Sequence, residues 1–154
     1  MKFFLTVAAL LFSVSTFASY AGDWTGFGSW KFKGEGPGAH CSPMTMTWIE
    51  TSKSIAIEKG LFDCEVVVMH LGQTAWTLKD GKLFDESNTE VGSYDGTSFQ
   101  VYMPSPNART TILVKVQRAA NHLDYQEIWF NPEQKIYVIE GRLFSSGAMT
   151  PLNN

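Results

Sequence analysis

From Asp23 to Phe144 the chain is a succession of short β-rich runs separated by turn signals, and no stretch carries the 3.6-residue apolar stripe of a helix. The runs are Asp23–Lys33, Met44–Thr51, Ser54–Lys59, Leu61–His70, Gln73–Lys79, Lys82–Asp85, Val91–Tyr94, Thr97–Met103, Thr110–Gln117, His122–Phe130 and Lys135–Phe144. Asp80-Gly81 and Asp95-Gly96 read as two-residue hairpin turns with both central positions at positive φ. Leu71-Gly72 and Pro104-Ser105-Pro106-Asn107 are weaker turn signals. Links this short make sequence neighbours pair antiparallel, in a meander. The expected fold is all-β: an antiparallel up-and-down barrel of about 8–10 strands, whose closure removes the sheet edges. A two-sheet sandwich is the alternative.

Two hairpins set the expected register. Folding His122–Phe130 and Lys135–Phe144 about Asn131-Pro132-Glu133-Gln134 puts Trp129 opposite Ile136, Glu127 opposite Val138, Tyr125 opposite Glu140 and Leu123 opposite Arg142. Side chains alternate along a strand, so all eight share one face. A face mixing two acids and an arginine with apolar groups suits a lined cavity better than a dry core. Centring a second hairpin on Ser52-Lys53 sets Trp48 opposite Ile57, Met46 opposite Lys59 and Met44 opposite Leu61. The reverse face carries Thr45, Thr47, Thr51, Ser54, Glu58 and Gly60, as a half-buried sheet requires. The same register puts Cys41 opposite Cys64, and Pro43 or a bulge at Gly60 are the places where it could shift. Two thiols cannot make a four-ligand metal site, so a Cys41–Cys64 disulfide is the leading reading.

Carried forward, the inner face collects Trp30, Trp48, Trp76, Tyr125 and Trp129. Val67 and Met69 fall opposite Trp76 and Thr74, Leu78 opposite Leu83, and Phe99 and Val101 join Ile112, Val114 and Val116. The outward face of the last strands is left with Leu113, Ile128, Phe130, Tyr137, Ile139 and Leu143. Such a patch calls for a cover: a homodimer or protein partner, a short helix or another sheet layer.

At the N-terminus Lys2, the apolar run Phe3–Phe12 and the small-residue stretch Ser13–Ala18 read as a secretory signal peptide, with cleavage after Ala18 or after Ala21. The run is shorter than the ~20 apolar residues of a spanning helix. An exported protein, periplasmic or secreted, is therefore expected, with 1–18 removed and 19–154 a single barrel domain. An oxidising compartment suits the disulfide. The formal net charge is -3 and Lys2 leaves with the leader, so the mature chain is mildly acidic without basic clusters, which argues against nucleic acid. Charged residues, at 18%, are too few for a disordered chain, and the 14% aromatic share needs an interior to occupy.

The opening Gly22-Asp23-Trp24-Thr25-Gly26-Phe27-Gly28-Ser29-Trp30, with Arg142 on the last run, resembles the calycin group: lipocalins, fatty-acid-binding proteins and bacterial lipocalin-like proteins. The resemblance implies a lipocalin-like barrel in which Trp24 closes one end. It also implies that Arg142 packs across the indole by cation–π contact while bonding backbone carbonyls, a structural role for both. Gly26 and Gly28 are expected to serve strand coiling, with close backbone approach as the alternative. The Trp-x-Gly-x-Gly opening is also similar to haem-binding nitrobindin-type barrels. Those place a histidine on the late strands, and Lys135–Phe144 has none, so no cofactor is expected.

His40, His70 and His122 share no metal-ligand spacing and no serine or cysteine joins them in a nucleophile motif, so neither a metal nor catalysis is expected. Glu127, Glu140 and Arg142 with Tyr125 form the polar group of the inner face. It reads as an internal salt bridge to Arg142 or as the contact for a ligand's polar head group. Nothing about the two acids is specific to a glycosidase pair. The expected function is binding of a small, largely apolar molecule inside the barrel by Trp30, Trp48, Trp76, Tyr125, Glu127, Trp129 and Arg142. The alternative is a filled barrel that acts as an interaction or inhibitor module through its outer surface.

Overall fold

The computed structural model describes residues 19–33, 35–105 and 109–146. The leader at 1–18, and Pro106 and Asn107 of one expected turn, lie outside the described residues. Among those described there are eleven strands and no helix: β1 (Gly22–Phe32), β2 (Ala39–Glu50), β3 (Ser54–Cys64), β4 (Val67–Leu71), β5 (Thr74–Lys79), β6 (Lys82–Phe84), β7 (Glu90–Tyr94), β8 (Ser98–Pro104), β9 (Thr111–Arg118), β10 (His122–Phe130) and β11 (Lys135–Ser145). Ten of them form a closed antiparallel up-and-down barrel, in which β1 pairs with both β2 and β11 and β2 pairs with β3. The barrel, not the sandwich, is the architecture.

The extra strand is β4. Val67 and Met69 do not face Trp76 and Thr74: β4 pairs with Gly60–Cys64 of β3, and β5 pairs with Ser54–Ile57 along the same edge. Nor does the chain break at Gly60, as the run boundaries had implied. A Cβ there would come within 2.8 Å of Leu71 Cδ1, so the glycine admits β4 rather than ending β3.

The β2–β3 hairpin keeps Trp48 opposite Ile57 and Cys41 opposite Cys64, and the two cysteines are disulfide-bonded. Between those points the register shifts twice and recovers, so Met46 meets Gly60 and Met44 meets Phe62. One shift spans Pro43, which has no N–H to give the ladder. Asp80 (φ 51) and Gly81 (φ 76) both take positive φ, as their turn requires. At Asp95-Gly96 only Gly96 does (φ 92); the Asp95 carboxylate instead accepts the Thr97 and Ser98 amides at 2.9 and 2.6 Å.

The C-terminal hairpin departs from the expected register by one residue. Asn131 Oδ1 accepts the amides of Glu133 and Gln134, and Phe130 pairs with Lys135. The ladder then shifts between Trp129 and Phe130, leaving Ile136 as the extra residue, and Trp129 pairs with Tyr137. Glu127 consequently faces Ile139, Tyr125 faces Gly141 and Leu123 faces Leu143. Because strand side chains alternate, this single slip turns the whole of β11 over. Tyr137, Ile139 and Leu143 point inward, while Glu140 and Arg142 point outward.

The barrel closes where β1 meets β11. A Cβ on Gly26 would lie 1.9 Å from the Arg142 carbonyl oxygen, and one on Gly28 would lie 2.0 Å from that of Glu140 and 2.6 Å from Met44 Sδ. Close backbone approach is thus what these glycines provide. Met44, fully buried, fills the space that Gly28 and its β11 partner Gly141 leave. Overpacking a tight core costs about 1–3 kcal/mol, so Gly28→Ala is expected to lower unfolding stability by at least about 2 kcal/mol. Gly72→Ala, where nothing lies within 4 Å of the new carbon, should be near neutral in the same urea titration.

Candidate functional site

One end of the interior is filled with aromatic rings. Tyr20 packs edge-on against Trp48 (centroids 5.5 Å) and Tyr94 (5.4 Å), and Trp48 and Trp76 each meet Phe99 at 5.2 Å. Ring pairs in such T-shaped contact prefer this geometry to face-to-face stacking. Tyr20 is completely buried, and its hydroxyl donates to the carbonyls of Thr97 (2.6 Å) and Val116 (3.0 Å). Its own carbonyl accepts Trp24 Nε1 at 2.8 Å. Glu50 ties the rim together by accepting the Tyr94 hydroxyl (2.6 Å), the Tyr20 amide (2.7 Å) and the Ser19 hydroxyl (2.8 Å). Burial drives the hydroxyls of Tyr20 and Tyr94 well above the usual tyrosine range, so both remain donors.

Trp24 is buried at this end, as expected, but its cation is Arg118 of β9 and not Arg142 of β11. The Arg118 guanidinium carbon stands 5.3 Å from the Trp24 ring centroid. Arg142 is turned outward by the β11 slip, and its Nε donates to Asp124 at 2.7 Å on the outer wall. Arg118 was legible in principle: it continues the inward series Ile112, Val114, Val116 by two residues.

The other end is open. Trp76, Tyr125 and Trp129 face the interior there, together with Ile112, Val114, Met103, Thr74, Leu71 and Ile57, around a cavity of about 390 Å³. His70 lies at its mouth, exposed. Glu127 projects into this space and is only 5% exposed. Tyr125 donates to its Oε2 at 2.5 Å, and Trp129 Nε1 donates to its Oε1. Burial raises the Glu127 carboxyl above the ordinary range, and the two donors pull the other way. Trp129 stacks on Tyr137 (4.8 Å, 28°), which in turn meets Trp30 at 6.0 Å, so Trp30 belongs to the rim.

Of the seven residues expected to line a ligand site, the structure therefore gathers Trp76, Tyr125, Glu127 and Trp129 in one cavity. Trp48 belongs to the packed end, Trp30 to the rim and Arg142 to the exterior. Glu140 is also outside, where Gln126 (2.8 Å) and Lys31 (3.3 Å) hold its carboxyl below the ordinary range, so it makes no internal pair with Glu127. The expected outer apolar patch shrinks for the same reason. Ile139 and Leu143 are core residues, Tyr137 packs against the core and Leu113, though on the outward face, is buried, which leaves Ile128 and Phe130 partly exposed outside. A larger concavity of about 830 Å³ lies on this outer wall, among Phe27, Lys115, Gln126, Glu140 and Arg142. Gln126 already pairs with Glu140 there and Arg142 with Asp124, and it is walled by strands rather than enclosed by them.

No protein-family model and no curated protein matches the chain. The fold is compatible with a calycin-like barrel on its strand number, order and closed end. Among the described residues no three histidine, cysteine or carboxylate side chains converge as a metal site would need. His122 bonds Asn121 and lies 3.3 Å from Asp124, and His40 is exposed.

A raised carboxyl has a definite linkage sign. The folded chain keeps the Glu127 proton where the unfolded chain releases it, so this contribution is complete below the ordinary glutamate range and is lost as pH rises through the folded value. Glu127→Gln does not titrate. Urea unfolding from pH 4 to pH 8 should show the variant gaining on the wild type as pH rises, and a constant gap would contradict this account of the carboxyl.

Proposed function

We propose that this chain is an exported, calycin-like barrel that holds a small, largely apolar molecule in the open half of its interior. The observation that carries the reading is the contrast between the two ends. One is packed solid by Tyr20, Trp24, Trp48, Tyr94 and Phe99; the other keeps a cavity of about 390 Å³ under Trp76, Tyr125 and Trp129. That volume falls in the range of small-molecule sites, and its walls are mainly apolar with few polar groups. A fluorescent apolar probe should enter and gain intensity, and Thr74→Trp, which fills the cavity from β5, should weaken uptake by about tenfold or more while the fold persists. A probe indifferent to both the protein and the substitution would end this reading.

Export is supported by the leader pattern and by the disulfide, and Tyr20 bears on where the leader is cut. Cleavage after Ala21 would remove a completely buried ring with its hydrogen bonds to Thr97, Val116 and Trp24. Cleavage after Ala18 retains it, and the ammonium freed on Ser19 would sit beside the Glu50 carboxylate, which already takes the Ser19 hydroxyl and the Tyr20 amide. Intact mass of the exported protein should correspond to a chain beginning at Ser19; one beginning at Gly22 would refute this assignment.

The second reading, an interaction module, draws on the outer concavity and on Phe27, which is 54% exposed beside it. It expects a partner or a second copy on that wall or on Ile128 and Phe130. Sedimentation of a monomer at high concentration would remove the homodimer.

A further inference from the structure

Glu127 is unusual among the interior side chains in being an acid with no cation beside it. Both carboxylate oxygens are taken by neutral groups, Oε2 by the Tyr125 hydroxyl at 2.5 Å and Oε1 by Trp129 Nε1. An indole N–H can only donate, so Oε1 is held as an acceptor in either protonation state, and in the ionised form Oε2 accepts the Tyr125 hydroxyl as well. Neutral donors satisfy its hydrogen bonding but leave its charge uncompensated, which is costly at 5% exposure. None of the described residues lining the cavity is a lysine or arginine; His70 is the one basic group, and it is exposed at the mouth. The remaining titratable neighbours, Tyr125 and Tyr137, are held neutral by burial. The rings of Trp76, Tyr125 and Trp129 line the same cavity as the carboxylate, Tyr125 and Trp129 meeting it edge-on through their O–H and N–H. Aromatic walls favour a cation over an anionic group.

We infer that the molecule held in this cavity carries a cationic nitrogen, an alkyl- or aryl-ammonium group that pairs with Glu127 while its apolar body lies against Trp76, Val114 and Trp129. The inference rests on the ligand-binding reading above and adds the ligand's charge. The same carboxylate repels an anionic head group, so free fatty acids are disfavoured even though the walls suit their chains.

A matched series tests it on the purified wild-type protein: octylammonium, octan-1-ol and octanoate, which share a tail and differ in head-group charge, titrated by calorimetry. Octylammonium should bind about tenfold or more tighter than octanol, with octanoate weakest. In Glu127→Gln the preference for the ammonium over the alcohol should fall to within about twofold. Octanol equal to or tighter than octylammonium, or octanoate tightest, would overturn the proposal while leaving apolar binding intact. An ammonium preference that survives in Glu127→Gln would overturn the role of Glu127. Failure of all three to bind would overturn it too, and only exclusion of the neutral fluorescent probe as well would reach the binding reading. The wild-type series stands by itself should the variant fail to fold.

Discussion

A meander of strands becomes a barrel only if its first strand can reach its last, and here that contact depends on two missing side chains. Gly26 and Gly28 let β1 lie so close against β11 that any Cβ would strike the carbonyls of Arg142 and Glu140. Met44 then enters from β2 to fill the hollow. Closure in this manner pairs β1 on both sides and fixes which faces look inward all the way round.

Closure also divides the interior into halves with different physics. At one end Trp48 of β2 and Tyr94 of β7 meet Tyr20, Phe99 of β8 joins Trp48 to Trp76, and Arg118 covers Trp24, so little is left to fill. At the other end Trp129 spends its N–H on Glu127 and its face on Tyr137, holding the carboxylate at the edge of open space. A single residue added to β11 at Ile136 keeps Glu127 without a cationic neighbour from that strand, because the slip that carries Ile139 and Leu143 inward carries Arg142 outward.

Arg142 and Arg118 show where resemblance misleads. The physical demand, a guanidinium over a buried indole at the barrel's end, is met, but by β9, two strands away from β11. Tyr20 shows the reverse case. It lies so near the leader that local pattern assigned it to a cleavage region, whereas its hydroxyl bonds lie 77 and 96 residues away in sequence.

What the sequence determined by itself was the class of fold and much of its wiring: strands, short links, antiparallel neighbours, the Cys41–Cys64 bridge, and the inward series of β8, β9 and β10. These follow from alternation and from contacts across a single turn, which a local pattern encodes. What only the tertiary structure decided was the face of β11, the place of β4, the plug at one end and the hollow at the other. A bulge changes the parity of everything beyond it at the expense of one unpaired residue, and the closeness of β1 to β11 joins the two ends of the chain. Neither leaves a periodic trace, because each depends on how distant backbones meet rather than on how side chains alternate.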